Sequence, residues 1–223
     1  MANRTPTRAR RAHPQESSAY VPSLALVSQV SRYHPVLVVF HWLLAFLIIA
    51  ALALGALIMV KIPNTDPMKI VALRSHMIGG SLILVLMLLR LLVRVRTSHP
   101  DVANAGNPFL NFVAWISHRA LYVLVLAQAG SGLFMALQAD LPQIVFLHQG
   151  ALPPDFWVFP TRSVHYVISR ALMTLIVLHV AGALYHLFVR RDGLLRRMWF
   201  GRHIISASHQ VSTSTAPTSM ARP

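Results

Sequence analysis

Apolar residues fall in four long blocks, each closed by turn residues or arginines. The first, Pro35–Val60, ends at Lys61-Ile62-Pro63-Asn64-Thr65-Asp66-Pro67. The second covers about 72–93 and closes on Arg90, Arg94 and Arg96. The third, about 112–137, follows a loop holding Pro100, Asn104, Gly106, Asn107 and Pro108. The fourth, Ser163–Phe188, follows a connection carrying Pro142, Pro153, Pro154 and Pro160, with Trp157 and Phe159 suited to a membrane interface. A helix needs about 20 apolar residues to cross a bilayer, and each block is long enough. The pattern predicts an all-α membrane protein, a four-transmembrane-helix bundle over residues 34–200. The first block suits a retained span better than a cleaved signal peptide. Residues 1–33 are Arg-rich and polar, and 201–223 are rich in Ser, Thr and Pro. Both are expected to be disordered tails. No internal repeat is visible.

Charge orients the bundle. The chain carries 20 Lys+Arg against 6 Asp+Glu, net +14. In a soluble domain that excess points to nucleic acid. Here it tracks the spans instead. The N-terminal tail, the 94–111 loop and the C-terminal tail are Arg-rich, while the 61–71 and 138–162 loops hold few basic residues. Basic flanks stay cytoplasmic, so both termini are expected inside. The chain has no cysteine. That excludes disulfides, thiolate haem ligation, covalent c-type haem and Cys-ligated iron–sulfur clusters. Any metal site must use His, Met or carboxylate.

The histidines then sort by depth. His165 and His179 stand fourteen residues apart on the fourth span. Fourteen residues are about four turns, so both rings leave one face, on the order of 21 Å apart along the axis. The first span runs outward with His41 near its inner end. The second runs inward with His76 near its outer end. The outer level thus holds His76 and His165, and the inner level His41 and His179. Ionisable groups inside spans mark function. Two stacked bis-histidine b-type haems, one per level, use all four imidazoles.

Other residues carry two readings each. Gly79, Gly80 and Gly182 suit either close approach of a flat macrocycle or plain helix packing. Arg90, four turns past His76 on the same face, is either a partner for an inner haem propionate or a snorkelling arginine. Arg170, five residues past His165, needs a partner: an outer propionate, Asp155 or Asp140. His118 in the third span is a rival ligand, a second-layer residue or a quinone-side donor. His186, at the membrane edge, is read as interfacial.

Several motifs together resemble one family. Phe40-His41-Trp42 opens the first span. His76 is followed by Gly79-Gly80 and by Arg90-Leu91-Leu92-Val93-Arg94. Tyr122 and Gly132 lie in the third span. His165 and His179 precede Asp192-Gly193-Leu194-Leu195-Arg196-Arg197-Met198. Over roughly 32–200 the chain resembles the bacterial cytochrome b561 family, related to the cytochrome b subunits of nickel hydrogenases. The resemblance implies four helices, two b haems on His41, His76, His165 and His179, a multi-pass place in the bacterial inner membrane, and exchange of electrons with ubiquinone. At least one type of member oxidises superoxide on the periplasmic side. Tyr166-Val167-Ile168-Ser169-Arg170 and Ala129-Gly130-Ser131-Gly132 depart from the family pattern.

The expected function is therefore dihaem electron transfer between a periplasmic donor, superoxide favoured, and the ubiquinone pool. Lys61, Lys69, Arg74 and Arg162 are candidates to steer the anion, and His118 or Tyr122 to relay protons. The alternatives are an anchor subunit for a periplasmic hydrogenase or dehydrogenase, and a proton-coupled transporter. Neither the broken helices nor the repeats that a transporter would show are seen.

Overall fold

The computed structural model describes residues 27–30, 32–97, 107–199 and 205–208. Helix α1 covers Pro35–Ala53 and runs on through a π turn, Leu54–Ile58, and a 3-10 turn, Met59–Lys61. Helix α2 is Pro67–Arg96, and α3 is Pro108–Gln138. A short α4, Leu141–Phe146, lies in the long connection. Helix α5, Pro160–Tyr185, continues as a π turn to Arg190. Two four-residue strands, β1 (Val27–Val30) and β2 (Ile205–Ser208), pair as a two-stranded sheet in stretches read from sequence as tails. The rest of both tails lies outside the described residues. Four helical stretches are long and apolar enough to span: Pro35–Lys61, Pro67–Arg96, Pro108–Gln138 and Pro160–Arg190.

These helices outrun their apolar blocks, and capping explains why. The Asp66 carboxylate accepts from the Met68 N–H at 2.8 Å, and the Asn107 side chain accepts from the Phe109 N–H at 2.8 Å. Each cap precedes a proline at the first helical position, where the missing N–H costs nothing. His34-Pro35 opens α1 in the same way. Hydropathy marks only the hydrocarbon-spanning part; the helix begins at its cap.

Helices α1, α2 and α3 pack in sequence, and α5 packs chiefly on α3. One buried cluster joins them at mid-height: Leu44, Ile83, Met87, Val125 and Leu172. A second closes the end where α2 begins and α3 finishes: Leu73, Ala136, Ala139, Leu141 and Val145. Large apolar side chains point outward, Phe46 at 69% exposure among them, as lipid-facing helices require. Lys69 is buried, and its ammonium donates to the Met59 and Ile62 carbonyls, both at 2.7 Å. It thereby caps the C-terminal end of the first span, where carbonyls lack helical partners. Arg74 donates from Nε and Nη2 to the Val145 carbonyl at 3.2 and 2.6 Å, tying α4 to α2.

Candidate functional site

Two groups of imidazoles occupy different heights between the helices. At the end where α1 begins and α5 finishes, called the tail side, His41 of α1 faces His179 of α5, with ring centroids 6.4 Å apart and planes at 69°. At the loop end, His76 of α2 faces His165 of α5, with centroids 6.2 Å apart and planes at 79°. Leu172, 1% exposed, sits seven residues from each α5 histidine and so shares their stripe. The mid-height cluster around it therefore fills the space between the two tiers.

The tail-side tier holds more than its pair. His118 of α3 lies with its ring 5.4 Å from that of His179. Its Nδ1 is 2.6 Å from the Ala114 carbonyl, so Nδ1 carries the proton and donates. Arg90 is buried; its Nε donates to the Tyr122 hydroxyl at 3.0 Å and its Nη1 to the Leu37 carbonyl at 2.5 Å. Snorkelling to the interface does not describe a guanidinium held in this way. Below this tier, the Trp42 indole donates to the Met198 carbonyl at 2.9 Å, fastening the Asp192–Met198 turn to α1. Asp192 lies 2.6 Å from His186 Nδ1, and that contact holds its carboxyl below the usual range.

The loop-side tier is braced from α3. Gln128 Nε2 lies 2.9 Å from His165 Nε2, and Ser131 Oγ lies 3.0 Å from His165 Nδ1. A Cβ added to Gly132 would stand 3.0 Å from His165 Cε1, and one on Gly55 3.5 Å from His76 Cε1. Gln128 and Gly55 were not singled out from the sequence. A glutamine amid the apolar third span was the available signal for the first. The π turn that carries Gly55 left none. Gly79, Gly80 and Gly182 have no atom within 4 Å of an added Cβ, so they do not serve tight helix packing.

Arg170 pairs with neither Asp155 nor Asp140. Its guanidinium lies over the Tyr166 ring at 4.9 Å, on the outward face of α5, and no described carboxylate pairs with it. The steering cations also divide. Lys69 and Arg74 point at backbone carbonyls, Lys61 is exposed, and Arg162 lies over the Trp157 ring at 4.6 Å.

Apolar spans with imidazoles paired between them define a class, integral-membrane haem proteins that carry electrons. Within it, the chain belongs to the prokaryotic cytochrome b561 family, whose model matches residues 32–201. It is 28% identical over 183 residues to "Cytochrome b561 homolog 2" of Escherichia coli strain K12, covering 78% of this chain and 95% of that one. It is also 28% identical over 162 residues to "Probable superoxide oxidase CybB" of Yersinia pestis, covering 71% and 90%. The chain is accordingly a multi-pass protein of the bacterial inner membrane, in a family that binds b-type haem.

The residues present suit that group. Two imidazoles on opposite sides of one iron, each nitrogen about 2 Å from it, have ring centres roughly 6 Å apart. Both pairs have this spacing, whereas His118 and His179 are too close to share an iron. His76 Nδ1 and Gln128 Oε1 are buried polar side-chain atoms without partners, and both belong to the loop-side tier. Among the described residues, no three His, Asp or Glu side chains are placed to hold a bare metal ion.

Proposed function

We propose that this chain holds two b-type haems, one between His41 and His179 and one between His76 and His165. It passes electrons across the inner membrane from superoxide to ubiquinone. The single observation carrying this reading is the pairing of imidazoles at two heights with the spacing of axial ligands. When bound, a bis-imidazole b haem supplies a one-electron carrier with no open coordination position. The protein's part is to hold each imidazole neutral and oriented, and to keep water from the path through the mid-height cluster. Arg90 would offset propionate charge at the tail-side tier, as it is a buried cation without a described carboxylate. Gly80, with Gly79 and Gly182, would leave clearance for the macrocycle.

The arginines at 190, 191, 196 and 197 support a cytoplasmic tail side and a periplasmic loop side. A donor then arrives at the His76 and His165 end, where Lys61 and Arg162 present positive charge. The name carried by the Yersinia pestis relative favours superoxide. Two superoxide ions give up one electron each and leave as two O2; one ubiquinone takes both electrons and two protons to become ubiquinol. The Tyr122 hydroxyl accepts from Arg90 and so has its own proton free to donate. At the same tail-side tier, His118 Nε2, bare while Nδ1 donates to Ala114, is the other candidate, taking up a proton and passing it on.

Stopped-flow mixing with superoxide and a short-chain ubiquinone tests this. Superoxide loss should depend on quinone, consume two superoxides per ubiquinol, and slow as ionic strength rises. Loss at the uncatalysed dismutation rate, whatever the quinone, would remove superoxide as the donor. A periplasmic redox protein, and with it the anchor-subunit reading, would then take its place.

A further inference from the structure

We propose that Gln128 and Ser131 are positioning residues for His165. Ser131 fixes the tautomer in which Nε2 is bare, and Gln128 covers that nitrogen until a haem takes it. This rests on the reading that His165 is an axial ligand. It adds a latch at the loop-side tier with no counterpart among the described residues at the tail-side one.

Proton counting carries the inference. The Ser131 hydroxyl has one proton, and it donates to the Gln128 backbone carbonyl at 3.0 Å. With its proton so used, Ser131 Oγ accepts from His165 Nδ1, 3.0 Å away. Nδ1 must then carry the ring proton, and in a neutral imidazole that leaves Nε2 with a lone pair. The Gln128 amide nitrogen, 2.9 Å from Nε2, donates into it. The amide orientation agrees: Gln128 Oε1, on the far side, is buried without a partner. The opposite arrangement, with Ser131 donating to Nδ1 and Nε2–H to a flipped amide, gives up the Ser131–Gln128 bond and leaves the amide N–H groups buried without a partner instead.

This tautomer is the one a metal-bound histidine uses, with one nitrogen for the metal and the other N–H held by an acceptor. Ser131 thus prepares the ring, and Gln128 competes with iron for the same lone pair. Rotating the amide away sacrifices one hydrogen bond and frees a side chain whose oxygen had no partner to lose. At the other tier the ring–ring contacts of His41 and His179 are to Trp42, His118 and each other, and among the described residues no side-chain amide is hydrogen-bonded to either ring. A hydrogen bond of ordinary net strength corresponds to roughly five-fold in an equilibrium. The loop-side haem should therefore be held less tightly than its ligands alone would allow.

The test follows transfer of haem from the purified, haem-loaded full chain in detergent to a high-affinity haem-binding protein. The two centres are told apart by their loss in His165→Ala and His179→Ala. Gln128→Leu should slow loop-side release several-fold and leave tail-side release unchanged. Gln128→Met, of similar length without the amide, carries the same expectation if leucine packs badly. Ser131→Ala should speed loop-side release, and Ser131→Thr, which keeps the hydroxyl, should restore the parent rate. Parent-like loop-side release in both Gln128 variants would overturn the latch, as would equal rates for Ser131→Ala and Ser131→Thr. A chain that binds no haem at the loop-side tier, with or without Gln128, overturns the ligand reading and the latch together. Those outcomes are distinct from a haem-loaded tier indifferent to Gln128.

Discussion

Purified His179→Ala protein should retain about half the haem of the parent, and His41→Ala should lose the same spectral component. The two residues sit on different spans, 138 positions apart in sequence, yet their rings face each other at 6.4 Å. Removing either leaves one imidazole, and an axial bond lost from a bis-histidine site forfeits both affinity and the low-spin spectrum. The fold should survive, because neither ring belongs to the mid-height cluster and the loop-side cluster lies at the other end. Loss of the component should be near complete in haem-to-protein ratio. His118→Ala is the control. Its ring is nearer to His179 but too close to share an iron, so its haem content should match the parent. If His118→Ala instead empties the tier while His41→Ala does not, the partner of His179 is on α3.

Gly132→Val should empty the loop-side tier and spare the tail-side one. An added Cβ there would meet His165 Cε1 at 3.0 Å and Nδ1 at 3.4 Å, before the two methyl groups of valine are counted. Helix α3 cannot retreat easily, since α5 packs chiefly on it. The ring is the part that moves, and an axial ligand turned from its position loses its bond. Overpacking of this kind costs about 1–3 kcal/mol even in adaptable cores. Optical spectra of the reduced protein should lose the component that His76→Ala loses. Gly80→Leu offers the contrast, because an added Cβ there meets no protein atom within 4 Å. Substitution at Gly80 should leave thermal stability of the haem-free chain intact and lower haem content only if a macrocycle lies against that face.

Much of this was legible in the chain. The four spans follow from apolar run length, which the bilayer enforces through unsatisfied backbone groups. Depth sorting put His41 with His179 and His76 with His165, and those pairs lie together in the structure. That worked because helix rise converts residue number into height, and alternating span direction sets the sign. Rotation about each helix axis is less legible. Height alone did not reveal that Arg170 faces outward onto Tyr166, or that Lys69 and Arg74 turn inward to carbonyls. The helices run beyond the apolar spans because Asp66 and Asn107 cap them further out. Gln128 is the instructive omission. A hydrogen-bonding amide within an apolar span needs a partner, and its height on α3 matches that of His165.

The most direct test of the account is the ratio of haem to protein, measured by pyridine haemochromogen on the purified full chain, in the parent and in His76→Ala. Paired imidazoles at two heights predict close to two haems in the parent and one in the variant, all of them b-type. A parent ratio of one, or a variant that keeps the parent ratio, would contradict the two-tier arrangement.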